Sequence, residues 1–281
     1  MKPGTELPAV LPQPAPETLM AGADPIWIDQ GRRGILFLHG YTSSAFEGRF
    51  LAEYFGERGW GVWAPLLPGH GTRPEDLVTV TAADWLGAAE RAFDWMRERF
   101  DQVVVCGQSM GGALALHLAA TRPVDAVVTL AGAMFVRDWR LRLLPVARHV
   151  IRYQYKSKGP DIRDAESKAA IASYHKYPLS SLEQFLGMIR RIRAELPKVT
   201  APALVVHSRR DRTIHYANLA TIAESIGSAV RETLSLEESY HVISVDVERE
   251  MIFRKMDEFL SGALPAEGEL DGGAAAPPNA R

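Results

Sequence analysis

Residues 102–116 read Gln102-Val103-Val104-Val105-Cys106-Gly107-Gln108-Ser109-Met110-Gly111-Gly112-Ala113-Leu114-Ala115-Leu116. An apolar run, a glycine-flanked serine and a helix-forming run follow one another, which predicts a strand, a sharp turn and a helix. Strand and helix pass close together at such a turn, so the positions two before and two after the serine must be small. Gly107 and Gly111 meet that need. The turn lifts the Ser109 hydroxyl out of the sheet, near the positive end of the helix, which indicates a candidate nucleophile.

The composition is typical of a globular α/β protein. The chain has 281 residues, 47% of them hydrophobic, and a net charge of -2. We interpret this length as one domain with an insertion. No overall basic field exists to hold nucleic acid, so we expect no nucleic-acid partner. The one cysteine, Cys106, excludes an internal disulfide and a Cys-based zinc site, and we predict that it is a small buried residue on a central strand.

The two ends of the chain differ in composition from its middle. Residues 1–24 are rich in proline, and residues 262–281 are rich in Gly, Ala and Pro. We expect a flexible N-terminal segment and a disordered C-terminal tail. The first residues lack the apolar stretch of a secretory signal, and no later run is long enough to cross a bilayer. The expected protein is therefore cytoplasmic, without stable membrane insertion.

Between the ends, short apolar runs alternate with longer amphipathic stretches. This alternation predicts a mostly parallel sheet of about seven strands with helices on both faces. The predicted strands are Pro25–Ile28, Ile35–Leu38, Trp60–Trp63, Gln102–Cys106, Ala126–Leu130, Ala203–His207 and Val230–Leu236. The predicted helices are Phe46–Arg58, Ala82–Arg99 (capped by Thr81), Met110–Ala120, Tyr216–Ile226 and Asp246–Leu260.

One interval, residues 134–196, is too long for the single helix that normally joins two such strands, and we interpret it as a helical cap. A first helix is expected from Pro145, with Val146, Val150 and Tyr153 on one face. A second helix is expected over Ala165–Tyr174, capped by Asp164. A third is expected to begin with the capping box Ser180-Ser181-Leu182-Glu183. Its apolar stripe, Leu182, Phe185, Leu186, Ile189, Ile192 and Leu196, must be buried, so the cap is expected to cover the Ser109 pocket.

An activated serine needs a base, and the base needs a carboxylate to orient it. Of the eight histidines, His241 is the best placed, because it lies in a loop between the last predicted strand and the last helix. Asp211 follows the preceding strand, which gives the chain order serine, acid, histidine. Asp246 competes for the role of the acid, but it is expected to be the N-cap of the last helix. His207 is expected to be a strand-end residue.

An anion formed at the serine needs two backbone N–H donors. Met110, directly after Ser109, is one candidate. The strand Ile35–Leu38 runs into a His-Gly turn, so the amide of Tyr41 is the second candidate. His39 is then expected to be a buried polar anchor. The loop Pro68-Gly69-His70-Gly71 is either a turn or part of the pocket wall.

These motifs together resemble the α/β-hydrolase carboxylesterases and monoacylglycerol lipases, over about residues 26–260. They are similar above all to small bacterial carboxylesterases with a helical cap, which implies the α/β-hydrolase fold, with a core of residues 25–133 and 197–261. The resemblance implies Ser109 as nucleophile, Asp211 as acid and His241 as base. One departure is Tyr240, where a glycine often precedes the histidine. The motifs are His39-Gly40-Tyr41, Pro68-Gly69-His70-Gly71, Gly107 to Gly112, Asp211 and Ser239-Tyr240-His241-Val242-Ile243.

The expected activity is hydrolysis of short- to medium-chain acyl esters or monoacylglycerols through an acyl-enzyme on Ser109, without a metal or organic cofactor. An acyl thioesterase and a non-catalytic ligand-binding module are the alternatives. The cap is also rich in basic residues, which indicates either a solvated helix face or transient contact with anionic lipid surfaces. These residues are Arg137, Arg140, Arg142, Arg148, Arg152, Lys156, Lys158 and Arg163.

Overall fold

In the computed structural model, which describes residues 7–157 and 159–266, seven strands form one sheet in the order β1-β3-β2-β4-β5-β8-β9. Strand β1 is antiparallel to β3, and all other neighbours in this sheet are parallel. The predicted mostly parallel sheet is confirmed. The strands are β1 (Ile26–Ile28), β2 (Arg33–Leu38), β3 (Gly61–Ala64), β4 (Gln102–Gln108), β5 (Ala126–Leu130), β6 (Tyr153–Tyr155), β7 (Lys176–Pro178), β8 (Ala203–Ser208) and β9 (Arg231–Leu236).

Helices lie on both faces of this sheet. The α-helices are α1 (Arg49–Gly56), α2 (Ala82–Arg99), α3 (Met110–Thr121), α4 (Leu144–Ala147), α5 (Ala165–Ala170), α6 (Leu179–Glu195), α7 (Asn218–Ser225) and α8 (Arg249–Ala263). Shorter 3-10 helices span Pro16–Thr18, Ala45–Gly48, Pro74–Leu77, Trp139–Leu143, Leu196–Lys198 and Ile243–Val245. No α-helix in the described part of the chain combines the length and apolar character that a membrane span requires.

The core consists of two apolar layers, one on each face of the sheet. Alternate residues of a strand enter opposite layers, as the two-residue period of a strand requires. On β2, Leu36 and Leu38 face the layer under α2, α3 and α6, while Ile35 and Phe37 face the layer under α1 and α8. Cys106 lies fully buried in the second layer, which confirms the prediction for this residue.

The register of the parallel strands brings their carboxyl ends to one edge of the sheet. Leu38, the last residue of β2, pairs with Gly107 of β4, and Gln108 pairs with Leu130 of β5. Ser208, the last residue of β8, pairs with Leu236 of β9. The loops after β2, β4, β8 and β9 therefore meet at this edge, where open α/β sheets bind their ligands.

Two predicted helix caps had different outcomes. Thr81 caps α2 with a full capping box, because its side chain accepts from the Asp84 N–H and the Asp84 carboxylate accepts in return. The prediction that Asp246 is the N-cap of α8 was wrong. The helix begins at Arg249 after Glu248, and the buried Asp246 carboxylate instead accepts backbone N–H groups of Arg163, Asp164, Tyr240 and Val247.

Residues 134–196, named the cap segment after the prediction, differ from the predicted set of three helices at their start. The expected helix from Pro145 is only the four-residue α4, and the side chains of Val146 and Val150 are 72% and 84% exposed. Tyr153 lies in β6, which pairs with β7 in a two-stranded antiparallel sheet. Few apolar residues at the start of this segment face the core, so a longer helix would have little to bury there. The chain is therefore extended after α4.

The later cap helices follow the prediction more closely. Asp164 caps α5 by accepting the Ser167 N–H, although this helix ends at Ala170. The expected capping box of α6 was wrong, because the helix begins at Leu179 after Pro178 and no side chain caps it. The apolar stripe of α6 is buried against the core as predicted. At its end, Glu195 contacts Nδ1 of His117 on α3 at 2.7 Å, so α6 is tied to the helix that follows Ser109.

Residues 7–24, part of the segment predicted to be flexible, contact the core in this structure. Leu11 and Ala23 are buried, and the Met20 N–H donates to the carbonyl of Gly71. Residues 1–6 and 267–281 of the two predicted flexible ends, and the cap residue Lys158, lie outside the described residues.

Candidate active site

Ser109 lies on a strained turn between β4 and α3. Its backbone has φ 56° and ψ -109°, a conformation that side-chain-bearing residues rarely adopt. A Cβ at Gly107 would collide with the carbonyl group of Gly111, and a Cβ at Gly111 would collide with that of Leu38 on β2. Both glycines are therefore required by the close approach of helix and strands, as the sequence pattern predicts.

The structure brings the three predicted side chains into one hydrogen-bonded series. The Nε2 atom of His241 is 2.9 Å from Ser109 Oγ, and its Nδ1 atom is 2.7 Å from Asp211 Oδ2. Ser109 comes from the turn after β4, Asp211 from the loop after β8, and His241 from the loop after β9. The arrangement can move a proton from the serine to the imidazole while the carboxylate orients the ring.

Asp211 is held as an anion by its surroundings. Its Oδ1 accepts the N–H groups of Thr213 at 2.8 Å and Ile214 at 2.7 Å, and its side chain is fully buried. Burial by itself raises the pKa of Asp211, but the charges and hydrogen bonds of His241 and His207 outweigh it and hold this pKa well below its usual range. His207 Nε2 lies 3.1 Å from Asp211 Oδ2, so this histidine has a contact that its strand-end position did not suggest.

The same pair determines the basicity of His241. Burial lowers the pKa of this imidazole, but the negative charge and hydrogen bond of Asp211 outweigh burial, and the net effect is a pKa above the ordinary value of 6.5. The backbone around His241 is also held in place. The N–H groups of His241 and Val242 donate to the carbonyl of Asp161 in the cap segment, and the Gln108 amide donates to the carbonyl of His241.

The loop after β2, residues 39–42, is held by three buried acceptors. His39 Nε2 accepts the Leu67 N–H and His70 Nε2 accepts the Thr42 N–H, each at 3.0 Å. Burial lowers the pKa of His39 to about 4, so the ring is neutral and can accept. His39 is thus the buried polar anchor that was predicted. The loop Pro68-Gly69-His70-Gly71 is a turn, with a hydrogen bond from the His70 N–H to the Leu67 carbonyl, and none of its four residues is among those that line the cavity at Ser109.

The third acceptor is Glu47, which sequence reasoning missed. Its carboxylate is buried and accepts the Gly40 N–H at 2.6 Å, one residue before Tyr41. Burial raises the pKa of Glu47 to about 6. No pattern in the sequence marked this residue, because the burial of its neighbours Phe46 and Gly48 is visible only in the structure. Asp246, which the sequence offered as a competing acid and as an N-cap, has neither role: its carboxylate accepts the N–H groups of Tyr240 and Asp164 and so ties the loop before His241 to residues 163–164.

The two predicted N–H donors belong to segments next to Ser109: Met110 follows it directly, and Tyr41 follows Gly40, where an added Cβ would lie 3.5 Å from the Ser109 Cβ. Met110 is the first residue of α3, where an N–H has no acceptor inside the helix. Tyr41 lies on the loop that Glu47 and His70 hold. Its ring stacks on Phe185 of α6, with centroids 5.3 Å apart, and its hydroxyl lies 2.5 Å from Ser181 Oγ. The cap helix therefore contacts this loop directly.

Ser109 and His241 open into a cavity of about 460 Å³ that is lined both by residues of the segment 134–196 and by residues outside it. One part of the lining, the apolar wall, contains Tyr41, Val136, Leu182, Phe185 and Ile214, which belong to or pack against the core layer under α6, together with Leu141. A second part, the polar wall, consists of charged residues from separate segments of the chain: Glu47, Lys156, Asp161 and Lys168. The cavity therefore offers both an apolar surface and charged groups to a ligand that reaches Ser109.

Comparison with known proteins agrees with this geometry. The chain is 30% identical to the thermostable monoacylglycerol lipase of Bacillus sp. (strain H-257), over 86% of this chain and 96% of that protein. It is 28% identical to the carboxylesterase of Bacillus subtilis (strain 168), over 84% and 95% of the two chains.

Among solved structures, one from a study of the metagenome-derived lipolytic enzymes LipS and LipT superposes with a TM-score of 0.82 at 32% identity. It covers 87% of this chain and 99% of that chain. The monoacylglycerol lipase of Paleococcus ferrophilus, at 16% identity and a TM-score of 0.72 over 86% and 99% of the two chains, has the same fold. The sequence profile of the Hydrolase_4 family, described as serine aminopeptidase S33, matches residues 29–248, and this chain belongs to that family of α/β hydrolases.

Proposed function

We propose that this protein hydrolyses carboxylic esters through an acyl-enzyme on Ser109. His241 accepts the hydroxyl proton through Nε2, and Ser109 Oγ attacks the ester carbonyl carbon. Asp211 orients the imidazole and stabilises its positive charge. His241 then gives the proton to the departing alcohol, and a water activated by the same base releases the acid. The observation that carries the proposal is the hydrogen-bonded series of Ser109, His241 and Asp211 at an enclosed cavity.

The tetrahedral intermediate places a negative charge on the former carbonyl oxygen. We assign its stabilisation to the backbone N–H groups of Tyr41 and Met110. Support comes from the position of Met110 at the start of α3 and from the acceptors Glu47 and His70, which hold the loop around Tyr41. Loss of one such donor typically costs about 3 kcal/mol of activation free energy. The reaction as written needs no metal or organic cofactor.

The proposed substrates are short- to medium-chain acyl esters or monoacylglycerols. The relatives that match most of this chain are named a monoacylglycerol lipase and a carboxylesterase. The apolar wall formed by Leu141, Leu182 and Phe185 provides a surface for an acyl chain. An acyl thioesterase would use the same groups, and the choice between oxygen and sulfur esters depends on the leaving group alone.

The test is hydrolysis of p-nitrophenyl esters from acetate to palmitate, together with a monoacylglycerol series. Ser109→Ala is expected to abolish turnover without a change in unfolding temperature. Ser225→Ala, on α7 away from the cavity, is the matched control and is expected to retain full activity. Labelling by a fluorophosphonate separates an enzyme from a non-catalytic binding module, because only an activated serine reacts at a useful rate. Absence of both labelling and turnover in the wild type would refute the proposal.

We further propose that residues 134–196 act as a cap over a core of residues 25–133 and 197–261. The cavity supports this division, because its lining residues come from both parts. A variant in which a short linker replaces the cap would test it. We expect the variant to lose selectivity for acyl chain length while Ser109 stays reactive towards the fluorophosphonate. Unchanged selectivity would contradict the role of the cap.

The start of the cap is proposed to make transient contact with anionic lipid surfaces. The side chains of Trp139, Val146 and Val150 are 73%, 72% and 84% exposed, and Arg142 lies among them in sequence. Exposed apolar groups beside basic residues are typical of interfacial segments. Co-sedimentation with anionic vesicles should fall for Trp139→Ser and not for Val230→Ser, an exposed valine far along the chain. Equal binding of the two variants would refute the contact. A cytoplasmic location stays a prediction from the sequence.

A further inference from the structure

The polar wall of the cavity contains two ammonium groups, those of Lys156 and Lys168, that have no ionic partner among the described residues. Lys156 directly follows β6 and lines the cavity, and its backbone is fixed by a hydrogen bond from its N–H to the carbonyl of His175. Its ammonium group makes no hydrogen bond or ion pair with any described residue. Lys168 of α5 lines the same cavity and is likewise without an ionic partner among residues 7–157 and 159–266. Burial lowers the pKa of Lys156 to about 8, so this ammonium has lost much of its water.

The carboxylates of the cavity are, by contrast, already engaged. Asp138 forms an ion pair with Arg140 at 2.7 Å. Asp161 accepts the Arg212 N–H at 3.0 Å, and Glu47 accepts the Gly40 N–H. The negative charge of Glu47 acts on Lys156 and raises its pKa, but the two side chains form no ion pair. The polar wall thus offers ammonium groups that have no ion pair among the described residues. Its carboxylates, in contrast, are already occupied by Arg140 or by backbone N–H groups.

The two walls predict how an ester lies in the cavity. The apolar wall belongs to the main core layer and contains Tyr41, Leu182 and Phe185, whereas the wall with Lys156 adjoins a small separate apolar cluster that includes Ile171 and Val242. An acyl chain gains free energy by burial on the first wall. The alcohol part of the ester is then directed towards the second wall, where the ammonium groups are.

We propose that the enzyme selects esters whose alcohol part carries an anionic group, a phosphate or a carboxylate, and that Lys156 binds that anion. The inference rests on the proposed ester hydrolysis and defines its substrate class. Lys168, exposed at the same wall, adds positive charge near the entrance. A half-buried ammonium without an ion pair among the described residues is stabilised by an anion that replaces its lost water, since charge-assisted hydrogen bonds are the strong ones. A neutral alcohol of the same size gains no such interaction.

The test compares octanoylglycerol with octanoylglycerol phosphate below their micelle concentrations, which excludes effects of lipid surfaces. The expected kcat/KM is higher for the phosphate ester by about 10- to 100-fold, the range of a charge-assisted hydrogen bond. Lys156→Met should abolish this preference, measured as the ratio of the two kcat/KM values, and Lys156→Arg should retain it. Lys176→Met is the matched control, because this lysine lies in β7, the strand paired with β6, and forms an ion pair with Glu75 outside the cavity. It should not change the preference.

A preference at or below unity in the wild type, or one that survives Lys156→Met, would overturn the inference. Binding of two unreactive ethers, octylglycerol and octylglycerol phosphate, is measured by calorimetry on the same variants. If neither ester is hydrolysed, the proposed ester hydrolysis fails, and the ethers still decide the role of Lys156. Binding of the phosphate ether that is about tenfold tighter to the wild type than to Lys156→Met supports the anion site. Equal binding to both refutes it.

Discussion

Gly111→Ala is expected to damage both catalysis and stability, through a single methyl group. An ideal Cβ at Gly111 would lie 2.8 Å from the carbonyl oxygen of His39 and closer still to the carbonyl of Leu38. Real Cβ atoms stay more than 3.0 Å from such oxygens, so the contact with the Leu38 carbonyl requires α3 to move away from β2 by about 1 Å. That movement separates Ser109 and Met110, at the start of α3, from Tyr41, on the loop after β2.

The magnitudes follow from the two consequences of this shift. Overpacking of a close helix–strand contact typically costs about 1–3 kcal/mol of unfolding free energy. A misplacement of about 1 Å in an active site can cost about 100-fold in rate, so we expect kcat to fall by 10- to 100-fold. Because the base His241 and its carboxylate are untouched, the acidic limb of the pH profile should keep its position.

The assay is steady-state hydrolysis of p-nitrophenyl butyrate, with the urea midpoint measured on the same samples. Gly187→Ala is the matched control, because a Cβ there meets nothing within 4 Å and α6 gains about 0.5–1 kcal/mol from losing a mid-helix glycine. If Gly111→Ala retained wild-type kcat and urea midpoint, the argument from close approach would be refuted. If Gly187→Ala lost as much activity as Gly111→Ala, the effect would not be specific to the turn.

Three further predictions concern charges. Asp211→Asn should lower kcat by about 10⁴-fold, because the imidazole loses its orienting carboxylate. Tm is measured in parallel as the control for folding, and a loss in kcat below tenfold would exclude Asp211 as the acid. The base His241 must be neutral to act, and its pKa lies above 6.5, so the acidic limb of the kcat/KM profile should lie above pH 6.5. A limb below pH 6 would contradict the pairing of His241 with Asp211. The lowered pKa of Asp211 stabilises the fold above about pH 4, and this stability is lost as the pH falls further. Glu47→Ala should lower the free energy of unfolding, measured in urea, by about 1–3 kcal/mol, because the buried Gly40 N–H loses its acceptor. Glu47→Gln keeps an acceptor oxygen and should recover most of this free energy. Equal losses in the two variants would assign the effect to charge.

Much of the fold was predictable because its signals are local. The seven strands of the main sheet were found within a few residues of their bounds, since each is a short apolar run between turn residues. The turn at Ser109 was predictable because small residues at Gly107 and Gly111 reflect a close approach that any such turn requires. The cap was the weak point. Val146 and Val150 have helical spacing, but their side chains are exposed. Spacing predicts which residues share one face of a helix, and it does not predict whether another element packs on that face.

The sequence by itself determined the element order, the candidate nucleophile and the chain order of Ser109, Asp211 and His241, because these depend on short-range pattern and on topology. Only the tertiary structure decided which charges these groups experience. The carboxylate of Asp246 accepts the N–H of Arg163, 83 residues away in the chain, and Glu47 and Lys156 come from separate segments to line one cavity. The pKa of a buried group depends on the charges and hydrogen bonds of its neighbours in space. Because packing brings these neighbours together, they leave no periodic signal in the sequence.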